Sequence, residues 1–151
     1  MSTTVSSSIE IHATPQQVWS VLTAFEAYGS WNPFMDRIEG RPEVGSRLVV
    51  HMSPPGGRGM TFKPVVLAAT APRELRWLGK LWPGGLFDGE HSFLLEPTET
   101  GGTELVHSET FRGILVALFK GTLSKTDDGF EAFNSALKAR VEKAEEDPTQ
   151  P

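Results

Sequence analysis

Three ionisable side chains and one amide in the second half of the chain are the residues best placed to do chemistry. His91, His107 and Glu109 stand in runs of alternating polarity, and Asn134 stands in a run of helical period. Alternation puts every second residue of a strand on one face. If Phe93 and Leu95 face inward, so does His91, and Leu105, His107, Glu109 and Phe111 share one face of the next strand. A turn around residues 98–102 then sets Leu95 opposite Leu105, Phe93 opposite His107 and His91 opposite Glu109. Directly opposed Cβ atoms lie ~4.5–5.5 Å apart, so the spacing predicts a hydrogen-bonded His91–Glu109 pair inside the sheet. A carboxylate beside an imidazole orients the ring and favours its protonated form, which suits proton transfer near neutral pH. Inward polar groups cost free energy unless partnered. His91, His107, Glu109 and Asn134 therefore either satisfy one another or meet the polar end of a ligand.

Other chemistries find less support. The chain has no cysteine, which excludes disulfides, thiolate zinc sites and thiol nucleophiles. Its four histidines are far apart, with no His-x-x-x-His pair, so no metal is expected; His91, His107 and Glu109 are the one set geometry would let share an ion. There is no Gly-x-Ser-x-Gly elbow and no phosphate-binding Gly-Lys-Ser/Thr loop. The Gly-rich run Pro54-Pro55-Gly56-Gly57-Arg58-Gly59 joins two strands and reads as a hairpin loop. His12 alternates with Ile11, and His51 is out of phase with Leu48, Val50 and Met52, so both are expected at the surface.

The elements that must position these groups follow from period and punctuation. Ile9, Ile11 and Ala13 alternate as in a half-buried strand. Thr14 can cap a helix whose first residue is Pro15, because proline lacks an N–H that would be unpaired there. Val18, Trp19 and Leu22 face its core side, and a second short helix ends before Pro33. Glycines and prolines then divide an antiparallel meander with strands over 35–40, 46–53, 60–70, 74–81, 87–96 and 103–112. Phe130, Phe133, Asn134, Leu137 and Val141 fall on one stripe of a long C-terminal helix. A fold of the α+β class results: a curved antiparallel sheet of about seven strands with the long helix on its concave face, the only partner able to cover it. The segment 114–119 is apolar all round, so it is buried, pairs with another subunit, or forms an apolar lid.

Composition bounds the rest. The 151 residues are one domain's worth, 38% of them hydrophobic, with 15 glycines and 11 prolines marking a turn-rich chain. Residues 1–4 and about 146–151 are expected to be disordered tails. A net charge of −5 argues against nucleic acid, which calls for a basic face. No run approaches the ~18 apolar residues of a membrane span, and the opening residues lack the charge and apolar run of a signal peptide. A cytoplasmic protein without membrane insertion is the expectation.

Several stretches resemble the START-like (SRPBCC) superfamily in its polyketide cyclase/dehydrase-like branch. Residues Ile9–Trp19 resemble its opening strand and Pro-initiated helix, and Tyr28-Gly29-Ser30-Trp31-Asn32-Pro33-Phe34 its Tyr-x-x-Trp-Asn-Pro-Phe turn. Phe87–Pro97 and Gly102–Phe111 resemble its last hairpin. The likeness covers about residues 5–145 and implies the helix-grip fold, with a cavity between sheet and helix for an apolar or aromatic small molecule. The inward aromatics expected to line it, or simply to fill the core, are Trp31, Phe62, Trp77, Phe93, Phe111, Phe130 and Phe133. The loops 54–59 and 81–86 would flank its mouth. Three functions stay open. The first is binding of such a molecule. The second is a cyclase/dehydratase-like enzyme without cofactor, using His91 with Glu109, or His107, as acid and base. The third is partner binding, including a homodimer, through 114–119.

Overall fold

The computed structural model describes residues 2–56, 58–81 and 87–146. Its first strand, β1 (Ser2–Ile11), shows the alternation read from the sequence, exposed on one face and half-buried on the other. This strand takes in Ser2–Thr4, which had been expected in a disordered tail. Its ladder with the strand ending at Arg112 holds out to the Ser2↔Arg112 pair, and the hydroxyls of Thr4 and Thr110 meet at 3.0 Å. At the other end residues 147–151 lie outside the described residues.

Thr14 and Pro15 start α1 (Pro15–Leu22) as their chemistry requires. The Thr14 hydroxyl accepts from the Gln17 N–H at 3.2 Å and the Gln17 side chain accepts from the Thr14 N–H at 2.8 Å, a reciprocal capping box. Val18, Trp19 and Leu22 are buried. A 3-10 helix (Phe25–Ser30) follows, and Asn32 closes the turn after it. Its Oδ1 accepts from the N–H groups of Phe34 and Met35 at 3.0 and 2.9 Å, which is why a buried asparagine suits this position.

The strands are β2 (Arg37–Glu39), β3 (Val49–Met52), β4 (Met60–Phe62), β5 (Val65–Thr70), β6 (Glu74–Leu81), β7 (Phe87–Pro97) and β8 (Thr103–Arg112). They form two ladders instead of the single sheet expected: a five-stranded one, β1-β8-β7-β6-β5, and a three-stranded one, β2-β3-β4. The stretch 60–70 is two strands, broken at Lys63-Pro64, where proline has no N–H to give a ladder. The ladders are spliced by the Arg47↔Val65 bridge and by bonds from the Leu48 N–H to the Pro64 carbonyl (2.8 Å) and from the Val66 N–H to the Ser46 carbonyl (2.9 Å).

After a 3-10 turn (Val116–Phe119), α2 (Lys120–Glu146) crosses the inner face. Phe130, Phe133, Asn134, Leu137 and Val141 form its buried stripe, as the period predicts. Each large apolar member contributes about 1.5–3 kcal/mol of burial. Lys138 ties the flank of α2 to β1, donating to the Glu10 carbonyl at 2.8 Å and to Glu142 at 2.6 Å, while Glu142 accepts from the His12 N–H at 2.8 Å. His12 itself is exposed, as expected. Among the described residues, no helix is long and apolar enough to cross a membrane.

Candidate functional site

The last hairpin has the predicted register: His91 opposes Glu109, Phe93 opposes His107 and Leu95 opposes Leu105. The side chains of His91 and Glu109 do share the inner face, but the predicted hydrogen bond between them is replaced by another. His91 Nδ1 stands 3.6 Å from Glu109 Oε1, too far for a hydrogen bond. Its Nε2 instead meets Nε2 of His107 at 2.5 Å, and His107 Nδ1 meets Asn134 Oδ1 at 2.9 Å. The diagonal neighbour on β8 has won over the directly opposed one, because two imidazoles on one face reach each other where a flexible carboxylate can turn away. A polar row results: Glu109, His91, His107, Asn134, supplied by β7, β8 and α2.

Aromatic rings wall this row. Trp77 stacks on His91 with centroids 5.2 Å apart, and Phe130 stacks on His107 at 3.9 Å. Phe93 lies 4.5 Å from His107 and 5.3 Å from Phe133. Trp31 is half-buried and packs on Phe133 at 5.9 Å. Both histidines and Asn134 are buried. Burial pushes His107 well below the usual histidine range and the neighbouring His91 adds to this, against the bond to Asn134. His107 is therefore a neutral imidazole. Two buried polar atoms of the row lack a partner: His91 Nδ1 and Asn134 Nδ2.

The row ends beside two glycines of the sheet's inner face. Gly79 of β6 pairs with Gly89 of β7, and Gly89 pairs with Phe111 of β8. In phase with Trp77 and His91, these two glycines face inward without side chains of their own, while Phe111 occupies the same level on β8. A Cβ on Gly89 would lie 2.8 Å from Glu109 Oε2, so the carboxylate rests over the bare backbone. The glycine row divides the apolar interior. On one side lies the main core with Trp77, Phe93, Phe130 and Phe133. On the other Phe87 stacks on Phe111 at 5.5 Å and Val5 and Val116 join them. Glu109 stands between, its side chain 12% exposed. Neither glycine was singled out in the sequence. The signal was there, since a turn centred on Pro83-Gly84-Gly85 sets residues 79 and 89 opposite each other.

Not all expected lining residues converge. Phe62 sits half-buried on β4 in the other ladder, and Phe111 belongs to the smaller cluster. Missed were Tyr28 and Phe34: Tyr28 packs on Phe133 at 6.1 Å, and Phe34 lies on Phe130 at 5.9 Å. Burial pushes the Tyr28 phenol upward, and its hydroxyl donates to the Leu22 carbonyl. Of the segment 114–119, Val116 is buried, but Ile114 and Leu118 are each 76% exposed. Of the two loops expected at a mouth, residues 57 and 82–86 lie outside the described residues.

His51 is a second departure. It is half-buried, with Nδ1 2.5 Å from Asp36 Oδ1, and Ser53 donates to Asp36 Oδ2 at 3.1 Å. Burial would raise the Asp36 carboxyl, but the His51 and Ser53 bonds outweigh it and hold it below the usual range. The open groove of about 560 Å³ lined by Glu10, His12, Gln17 and Gly101 touches none of the polar row.

Set beside known proteins, residues 2–142 match the family model described as polyketide cyclase / dehydrase and lipid transport. No curated protein matches the chain. Among solved structures, the Zhui aromatase/cyclase from Streptomyces sp. R1128 is 14% identical, with each chain covered over 100% of its length and a TM-score of 0.80. A START superfamily protein from Mycobacterium smegmatis is 23% identical, covering 93% of this chain and 97% of that one at a TM-score of 0.69. A Mesorhizobium loti protein is also 23% identical, covering 93% and 98% at 0.71. These likenesses establish the START-like helix-grip fold.

Proposed function

The chain belongs to the polyketide cyclase / dehydrase and lipid transport family, and from that premise we propose that it binds an apolar or aromatic small molecule between the sheet and α2. The observation that carries this reading is the Gly79–Gly89 pair, two inward residues without side chains set between two aromatic clusters, with the Glu109 carboxylate lying over Gly89. An aromatic ligand laid on that pair meets Trp77 and His91 at one end and Phe87 and Phe111 at the other. Apolar walls with a few convergent polar groups are the usual make-up of a small-molecule site. The packed rings around Phe133 form the wall, and the two glycines keep β6 and β7 side chains off the seat.

A second reading, a cyclase/dehydratase-like enzyme, draws on the polar row itself. Glu109, His91 and His107 stand in sequence, so a proton taken from a bound carbonyl compound at His91 Nδ1 has a carboxylate beside it. Glu109→Gln separates the two readings. A carrier loses modest affinity, whereas an acid/base enzyme loses ~10²–10⁴-fold in turnover.

The binding reading is tested with the protein purified from its own host and Gly79→Val. A Cβ at residue 79 makes only ordinary contacts, at 3.8 and 3.9 Å, and valine suits a strand, so the variant is expected to fold, as its far-UV circular dichroism checks. Mass spectrometry of the denatured wild type is expected to release one apolar or aromatic compound per chain, and Gly79→Val to carry little of it. Equal loading of the two proteins would move the ligand off the glycine row.

A further inference from the structure

We infer that the free edge of β1 between Ser2 and Ser8 is an interface, and that its occupant is the same edge of a second copy of this chain. This contact is independent of any ligand. Folded chains shorten, charge, kink or cover their open strand edges, because an open edge presents unpaired N–H and C=O groups. Here β2 and β4 are only three residues long, and β5 is covered by the bonds around the Arg47↔Val65 bridge. β1 is the other edge of the five-stranded ladder. Its last part is closed by α2, where Lys138 donates to the Glu10 carbonyl and Glu142 accepts from the His12 N–H.

Those two bonds fix the parity of the strand. In an antiparallel ladder the N–H and C=O of one residue point to the same side, and the next residue's point to the other. Even-numbered residues therefore turn their backbone groups to the free edge, while odd-numbered ones bond β8 through a register without a bulge. Among the described residues, no group bonds the outward N–H and C=O of Ser2, Thr4, Ser6 and Ser8. None of the usual guards stands there either: residues 2–8 contain no charged side chain and no proline, and their exposed face carries only hydroxyls.

A second copy fits this edge by symmetry. A two-fold axis beside Val5 sets Ser2 opposite Ser8 and Thr4 opposite Ser6, antiparallel, so every outward N–H and C=O meets its complement. This is the longest matched register that leaves the Lys138–Glu142 cap in place, since a shift that sets Ser2 opposite Glu10 displaces it. Hydroxyls then lie on hydroxyls outside. Inside, Val5 lies on Val5, where it already packs with Phe111 and Val116. Such an isologous two-fold contact is the commonest form among soluble dimers.

Sedimentation of the full chain between micromolar and millimolar concentration tests this. The wild type is expected to pass from monomer to dimer over that range; a monomer throughout overturns the inference. Ser6→Pro removes only an N–H on the free edge, where proline is tolerated, and it acts twice in a symmetric pair. It is expected to weaken the dimer about tenfold or more while the circular dichroism stays unchanged. A dimer of undiminished strength overturns the inference. Register is read by cross-linking, in a chain that has no cysteine of its own. Val5→Cys is expected to form a disulfide-linked dimer under mild oxidation, because residues opposed at the axis lie within disulfide reach. Ser6→Cys is more exposed but faces the second copy's Thr4, so it is expected to cross-link much more slowly. Equal rates for the two mean random collision and overturn the pairing.

Discussion

His51 and His91 each stand beside a carboxylate, and the two pairs behave in opposite ways. At the half-exposed site His51 closes on Asp36 at 2.5 Å, with Ser53 holding the other carboxylate oxygen. In the interior His91 leaves Glu109 at 3.6 Å and bonds to a second imidazole. Where water reaches, an imidazole and a carboxylate can pair as ions without losing all their hydration. Inside an aromatic cage, separating charge is costly, and a row running from imidazole to imidazole to amide joins His91, His107 and Asn134. The same two residue types thus make a direct imidazole–carboxylate pair at the rim and an imidazole–imidazole contact in the core.

The sharpest break of this comparison is His107→Ala. It strands His91 Nε2 and Asn134 Oδ1 and empties the space between Phe93 and Phe130. Cavity and unpaired polar groups together cost about 3–5 kcal/mol, read as a lower urea midpoint with an unchanged slope. A loss under about 1 kcal/mol would mean the polar chain is not a closed unit.

Acid sharpens the contrast next. His107 is held below its ordinary value in the folded chain, whereas unfolded histidine titrates near ~6.5. Above that pH both states are neutral and nothing changes. Below it the unfolded chain takes up a proton that the folded one refuses, so stability falls as pH falls, by up to about 1.4 kcal/mol per pH unit. Asp36, Glu90 and Glu142 are held low, so their losses begin only nearer the ~4 of free carboxylates. Thermal melts between about pH 7.5 and 5.5 are therefore expected to shift in the wild type and to flatten in His107→Gln. A slope that survives this substitution assigns the acid sensitivity to another group.

What was legible in the sequence divides along the same line. The hairpin register from residue 91 to 109, the capped α1 and the stripe of α2 depend on period and local chemistry, which a single sequence carries. So did the inward set of His91, His107, Glu109 and Asn134. The partner of His91 was not legible, because directly opposed and diagonal neighbours lie at similar reach, and only the packed rings of Trp77 and Phe130 decide between them. The split at Lys63-Pro64 carried its own proline signal, but pairing of 45–48 with 64–66 depends on how one ladder folds onto the other. The Asp36–His51 pair had a clue in its register neighbour, Arg37↔His51, hidden by reading the strand there as a simple alternation.

The smallest effect is expected at the rim, and it completes the comparison. His51→Asn removes the imidazole from Asp36 but leaves the Ser53 bond, so the carboxylate keeps one donor and water supplies another. Half-exposed ion pairs contribute about 0.2–1 kcal/mol, and the loss should sit within that range. Its signature is salt. Screening shortens the reach of exposed charges to about 3 Å at 1 M ionic strength, so the coupling between His51→Asn and Asp36→Asn in a double-mutant cycle should shrink as salt is added. The cost of His107→Ala, which comes from a cavity and stranded neutral groups, should not. Unfolding curves of the single and double variants at low and high salt separate the two sites. A salt-independent coupling at His51 would mean that this pair too is held by packing and neutral hydrogen bonds, as His91 and His107 are.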